Sequence, residues 1–229
     1  MDFNINNFGT LEVTEGLSFN LTETLLVTWI VMAILLALAI IVRVKSKKWN
    51  SKNKPKGLQN FIEMCVDAFE RFFKGSSSEK VTYLAPWFFA LFAFLLMANI
   101  IGLVGLRPPT ADWGLTFPLA MASFVMFQYA GFRYRPKAYM KGFLKPFAVF
   151  LPLNILGEFA RPIALSFRLF GNILGGVILM SLLYELAPTV LTFVLPVALH
   201  AYFDLAAGAL QAFIFTVLSI TFVGLAAED

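Results

Sequence analysis

In the run Leu165-Ser166-Phe167-Arg168-Leu169-Phe170-Gly171-Asn172 a charge meets an apolar surround. The run holds a guanidinium near the centre of one of the longest uncharged apolar stretches of the chain. A mid-bilayer arginine costs roughly 2.5 to 3.5 kcal/mol on insertion scales, and more in simulations of an isolated helix. Arginine keeps its proton in proteins, so it cannot escape by becoming neutral. A cation held at such a place faces a partner charge or water, and it marks a functional site by default.

Working outward, the solvent of this chain is lipid. Of its 229 residues 59% are hydrophobic and 14% charged, with a mean hydropathy of +0.77; soluble domains carry about 25% charged residues. The net charge of +4 is uneven along the chain. It reads as membrane topology and not as nucleic-acid affinity. Cys65 is the only cysteine, which excludes an internal disulfide and a cysteine metal cluster. Asp2, Glu12, Glu15 and Glu23 precede the first apolar run without a Lys or Arg, so no cleavable signal peptide is expected.

Five crossing segments are predicted: Thr24 to Val42, Leu84 to Leu106, Phe117 to Phe132, Phe147 to Tyr184, and Thr189 to Ala226. The fourth should be broken early by Pro152 and Pro162, and the fifth carries Pro196 near its start. Both exceed the ~20 residues of a perpendicular crossing, so they must tilt, kink or lie partly in the plane. Between the crossings, Gly57 to Lys74 sets Phe61, Ile62, Cys65, Phe69, Phe72 and Phe73 against Glu63, Asp67, Glu70, Arg71 and Lys74. That spacing predicts an amphipathic helix on the inner membrane surface. The expected fold class is therefore an all-α integral membrane protein, with about five embedded helices and one surface helix. As one polytopic domain it divides into an external N-terminal segment 1–23, a first span 24–44, the amphipathic helix 57–74, a helical hairpin 84–132 and two long tilted helices at 147–227.

Basic residues orient the spans. Ten Lys and Arg lie between the first two spans, from Arg43 to Lys80, and Arg133, Arg135, Lys137, Lys141 and Lys145 lie between the third and fourth. Both loops should be cytoplasmic, with the N-terminus outside and the C-terminus inside. The linker Lys45 to Lys56 is a solvated positive loop.

Two polar stripes run through the last segments. Glu158, Arg161, Leu165, Arg168 and Asn172 are spaced for one helical face, and so are His200, Asp204, Gly208 and Gln211. Such stripes should turn towards protein or water. Topology puts Glu158 nearer the cytoplasm, Arg168 near mid-depth, and His200 and Asp204 in the outer half. Two aqueous half-paths separated by a fixed cation would follow. Each group has a plainer reading too. Glu158 and Arg161 suit an i, i+3 ion pair, His200 an interhelical hydrogen bond, and Asp112 a solvated loop position. Gly171, Gly175, Gly176 and Gly208 suit close helix packing. There is no GxxxxGK[ST] loop and no His or Cys cluster with metal spacing, so no cofactor and no ATP hydrolysis by the chain alone are expected.

Leu153-Asn154-Ile155-Leu156-Gly157-Glu158-Phe159-Ala160-Arg161-Pro162, followed by Ser166-Phe167-Arg168-Leu169-Phe170-Gly171-Asn172, resembles subunit a of the F-type ATP synthase. Gly208-Ala209-Leu210-Gln211-Ala212-Phe213-Ile214-Phe215 extends the resemblance, which covers nearly the whole chain. It implies an ion-conducting stator subunit, not an enzyme by itself, that offers two offset half-channels to a rotating c-ring. In that likeness Arg168 matches the arginine facing the ring carboxylate, and Asn172 and Gln211 match polar residues beside it. Asp204, with His200, falls in the outer path, and Glu158 near the inner one. The implied partners are the c-ring, the peripheral-stalk b subunits, the rest of the F1Fo complex and membrane lipid. The implied location is a bacterial plasma membrane, with a thylakoid membrane as the alternative. Val177 stands where many relatives have an acidic residue, and Gly114 where many have Asn. The ion, H⁺ or Na⁺, stays open because its carboxylate lies on the ring. The competing reading is a stand-alone secondary transporter with a site at Arg168 and Asp204, against which the absence of a visible repeat argues.

Overall fold

A computed structural model describes residues 7–14, 17–47, 49, 57–144, 147–186 and 199–228. Five helical segments in it are long and apolar enough to cross a membrane. The spanning body is all-helical, as predicted. The first span is α1, Glu23–Ser46, capped by Thr22, whose hydroxyl accepts from the Leu25 amide. The amphipathic helix is α2, Leu58–Ser76. Next come α3, Ala85–Ile100, entered through a 3₁₀ turn at Glu79–Leu84 and extended by another at Ile101–Val104, and α4, Trp113–Tyr134. A short α5, Pro136–Phe143, leads to α6, Leu151–Leu186. The last span is a π-helical segment, Ala201–Ala207, running into α7, Gly208–Ala227. The expected start of this span at Thr189, and Pro196 within it, lie outside the described residues.

Four differences from the sequence reading have physical reasons. Residues 7–22 form a small antiparallel hairpin, β1 Asn7–Thr14 and β2 Leu17–Thr22, with Leu11 opposite Phe19. Alternating β-branched, aromatic and polar residues favour it. α4 begins at Trp113 and not near Phe117, because Asp112 caps it by accepting the Gly114 amide at 2.8 Å. Asp112 is thus a helix cap and not only a solvated loop residue. Finally, neither proline breaks α6. Pro152 occupies its first turn, where a missing N–H is no loss. Pro162 stands inside a continuous helix, depriving only the Glu158 carbonyl of its intrahelical donor.

The core lies where α3, α4, α6 and α7 meet, around Phe88, Leu95, Leu169, Phe215, Ile220 and Val223. Neighbouring helices in lipid are held by packing and not by expulsion of water, so fit matters. α1 is peripheral. Val27 and Val31 are buried, while Leu36, Leu38 and Ile40 are exposed as lipid-facing residues would be. α2 is half docked. Its Asp67–Arg71 and Glu70–Lys74 pairs stay exposed, while the rings of Phe69, Phe72 and Phe73 pack edge-on or tilted against Phe89, Phe213 and Phe88 at 5.2, 5.6 and 5.8 Å.

α6 has 36 residues, or about 54 Å at 1.5 Å per residue, against ~30 Å of hydrocarbon core. Its midpoint meets the α3–α4 turn, where the Trp113 ring N–H donates to Ser166 Oγ at 3.3 Å and the ring stacks on Phe167. The half beyond it, about 27 Å long, is as apolar as the first and has no place in water. α6 therefore crosses the hairpin obliquely.

At the other end of the bundle α7 presses Gly224 onto the chain after α2. A side chain at 224 would come within 2.7 Å of Ser77 Cα. Gly224→Ala should cost about 1 to 3 kcal/mol through overpacking and lower the melting temperature of the purified protein. Gly75→Ala, with nothing within 4 Å of the added carbon, should leave it unchanged.

Candidate functional site

Arg168 stands at the middle of α6 and is exposed, together with Ala164, Gly171, Asn172 and Gly175 on the same side. Leu165, Leu169 and Ile173 turn the other way, into the core. Among the described residues no carboxylate pairs with Arg168. The partner charge that its position demands is not supplied by the described part of this chain.

The second stripe is not one α-helical face. Ala201–Ala207 is π-helical, with i→i+5 bonding. The wider turn replaces the uniform 3.6-residue period on which the 4, 4, 3 spacing from His200 to Gln211 rests. Asp204 lies inside this segment, and its side chain lies outside the described residues. His200 meets Tyr184 on α6, with 3.3 Å between Nε2 and the phenol oxygen. Gln211 is buried, and its amide nitrogen has no hydrogen-bond partner among the described residues. Tyr184–His200 and Arg161–Phe222 contacts fix α6 antiparallel to the last span. Interpolation sets Gln211 level with Asn172 and about one helical turn beyond Arg168. Gln211 therefore lies within about one turn of Arg168 in depth, but Arg168 faces out of the subunit and Gln211 faces its core.

The π segment ends at a clamp that sequence reading missed. Asn99 on α3, fully buried, donates from Nδ2 to the Gly208 carbonyl at 2.8 Å and accepts from the Thr110 hydroxyl. Gly208 is required there, since a Cβ would lie 2.9 Å from Asn99 Cβ. Asn99 and Gly208 are 109 residues apart, so no local pattern could join them.

Glu158 and Arg161 form the expected pair, at 3.0 Å. They border a cavity of about 630 Å³ between α4, α5, α6 and α7. Its α5 wall was not foreseen. Tyr139 donates to Gln128 Oε1 at 2.7 Å, and Asn154 Nδ2 donates to the Phe143 carbonyl at 2.8 Å, tying α5 to α4 and α6. Burial, and then the nearby Glu158 carboxylate, push the Tyr139 phenol from the usual 10.0 up to about 12, opposed by Arg161. Tyr139 is thus a neutral donor at every physiological pH. The raised value means the unfolded phenol ionises first, so its effect on stability is nil below pH 10.0 and turns destabilising as pH climbs towards about 12. Ultraviolet titration should show one fewer late-ionising tyrosine in Tyr139→Phe than in the wild type.

The family described as ATP synthase A chain matches residues 25–224. "ATP synthase subunit a, sodium ion specific" of Propionigenium modestum is 32% identical, over 93% of this chain and 77% of that protein. "ATP synthase subunit a" of Solidesulfovibrio magneticus is 38% identical over 74% of this chain and 71% of its own length. "ATP synthase subunit a 2" of a Picosynechococcus species is 35% identical over 90% and 86%.

Proposed function

Because the chain belongs to the ATP synthase A chain family, we propose that Arg168 is the fixed cation on which its ion transfer turns. The chain is an ion-translocating membrane subunit of the F-type ATP synthase, and the catalytic sites of the synthase lie outside it. The curated relatives above are synthase subunits and not stand-alone transporters, which sets the competing reading aside.

In our reading the exposed face of α6 is the surface on which the c-ring turns. The observation that carries it is the bare guanidinium. Arg168 is exposed beside small residues and has no carboxylate partner among the described residues. A ring carboxylate passing this face would lose its ion, because the guanidinium favours the ionised form. Ions would reach the ring through an outer path by Asp204, His200, Asn172 and Gln211. They would leave through the cavity at Glu158, which serves as the inner vestibule. One charge falling through 100 mV supplies about 2.3 kcal/mol, so several must be summed for each ATP. Peripheral-stalk b subunits and lipid would cover the remaining exposed apolar surface. The basic loops favour a cytoplasmic side for α2 and α5, and in our reading the chain is one polytopic domain of a bacterial plasma membrane.

Arg168→Ala in assembled complex, reconstituted into vesicles, should reduce ion-driven ATP synthesis to background. Coupled synthesis in that variant would refute the role. Orientation has its own check in Cys65, the only thiol of the chain. A membrane-impermeant maleimide should label it in inverted vesicles and not in right-side-out vesicles.

A further inference from the structure

Deeper along α6 than the vestibule lies a second cavity, and the two share three walls: Phe127, Arg161 and Phe222. The Arg161 guanidinium carbon stands 5.2 Å from the Phe127 ring centre and 5.3 Å from that of Phe222. Glu158 holds it from the vestibule side at 3.0 Å. A cation over a ring face is attracted by the ring quadrupole, and here two faces share one cation.

The second cavity is small, about 10 Å³ for the centre of a water molecule, or room for one water. Ser123 and Ser219 line it, and Leu165 closes it one turn short of Arg168. Ser219 is buried, and its hydroxyl has no partner among the described residues. Such an orphan costs roughly 1 to 3 kcal/mol, which makes water its natural partner. Two turns along α7, on the same stripe, the buried amide of Gln211 is also unpartnered. Unsatisfied polar atoms thus lead from behind Arg161 towards the level of Arg168.

A wet thread along that route would let ions pass through the stator without moving the rotor. We propose that Arg161 is the seal: wedged between Phe127 and Phe222 and anchored by Glu158, it closes the vestibule against the one-water cavity at Ser123 and Ser219. The inference rests on the reading of the vestibule as the inner ion path. The Glu158–Arg161 pair is neutral overall, so Arg161 adds no net charge to a vestibule that Arg135 also lines. The guanidinium opposes a cation only where one would have to squeeze between the rings. Arg161 is a positioning residue of coupling, distinct from the transfer step at Arg168.

The test uses the whole F1Fo complex in vesicles. Passive proton and sodium efflux is followed under an imposed potential, before and after a carbodiimide caps the ring carboxylates. Wild type should be tight after capping. Arg161→Gln should keep a capping-resistant leak on the order of tenfold above it, as for a barrier lowered by about 1.4 kcal/mol. Ser219→Val, which fills the small cavity, should suppress that leak in the double variant. Phe222→Ala opens the same seal by removing one ring and replaces Arg161→Gln if that variant fails to assemble. An assembled opening variant as tight as wild type overturns the proposal. So does a leak that capping abolishes, or one that Ser219→Val leaves unchanged. Because capping removes the rotor from the measurement, the result is independent of Arg168→Ala, whose retained coupling would instead sink the ion-path reading itself.

Discussion

A guanidinium that finds no counter-charge in the described part of its own subunit is the constraint on which the architecture turns. Arg168 cannot neutralise itself, and it is exposed at the middle of a helix too apolar to stand in water. Its stability depends on what docks against that face. The opposite side of α6 answers the mechanical need: Leu165, Leu169 and Ile173 are buried against the other helices. The charge is therefore carried on a rigid rod, and the small residues around it leave room for a neighbouring surface.

The same helix carries a second arginine treated in the opposite way. Arg161 lies seven residues from Arg168, two turns along the same side. It is paired with Glu158 and covered by two aromatic rings. The pair is only half-buried at the cavity wall, with the Arg161 side chain still 40% exposed. A neutralised arginine attracts no passing carboxylate, whereas a bare one does. Two identical side chains on one face thus differ in their surroundings: Glu158 and the rings of Phe127 and Phe222 meet one, and no described carboxylate meets the other.

Much of this was legible in the chain. Hydropathy and length gave the spans, the 3.6-residue period gave α2, and the i, i+3 spacing gave the Glu158–Arg161 pair. What escaped depends on contacts between distant elements. Pro162 reads locally as a break, yet helix neighbours and the cost of interrupting a helix in lipid keep α6 continuous. The vestibule wall needs Tyr139 to reach Gln128 across the turn between α4 and α5. The stripe from His200 to Gln211 assumed a uniform period that the π segment does not keep.

The π segment and the Asn99 clamp belong together. The segment ends where Gly208 opens α7. Asn99 brings a side-chain amide to the Gly208 carbonyl at this junction, and Thr110 holds that amide in place from its other end. The clamp pins α7 to α3 at one register. Beyond Gly208 the helix is regular and well buried, down to Ala227. Any rotation that presents His200 or Asp204 differently must be absorbed on the π side of the clamp. Gln211 and everything after it stay fixed against the core.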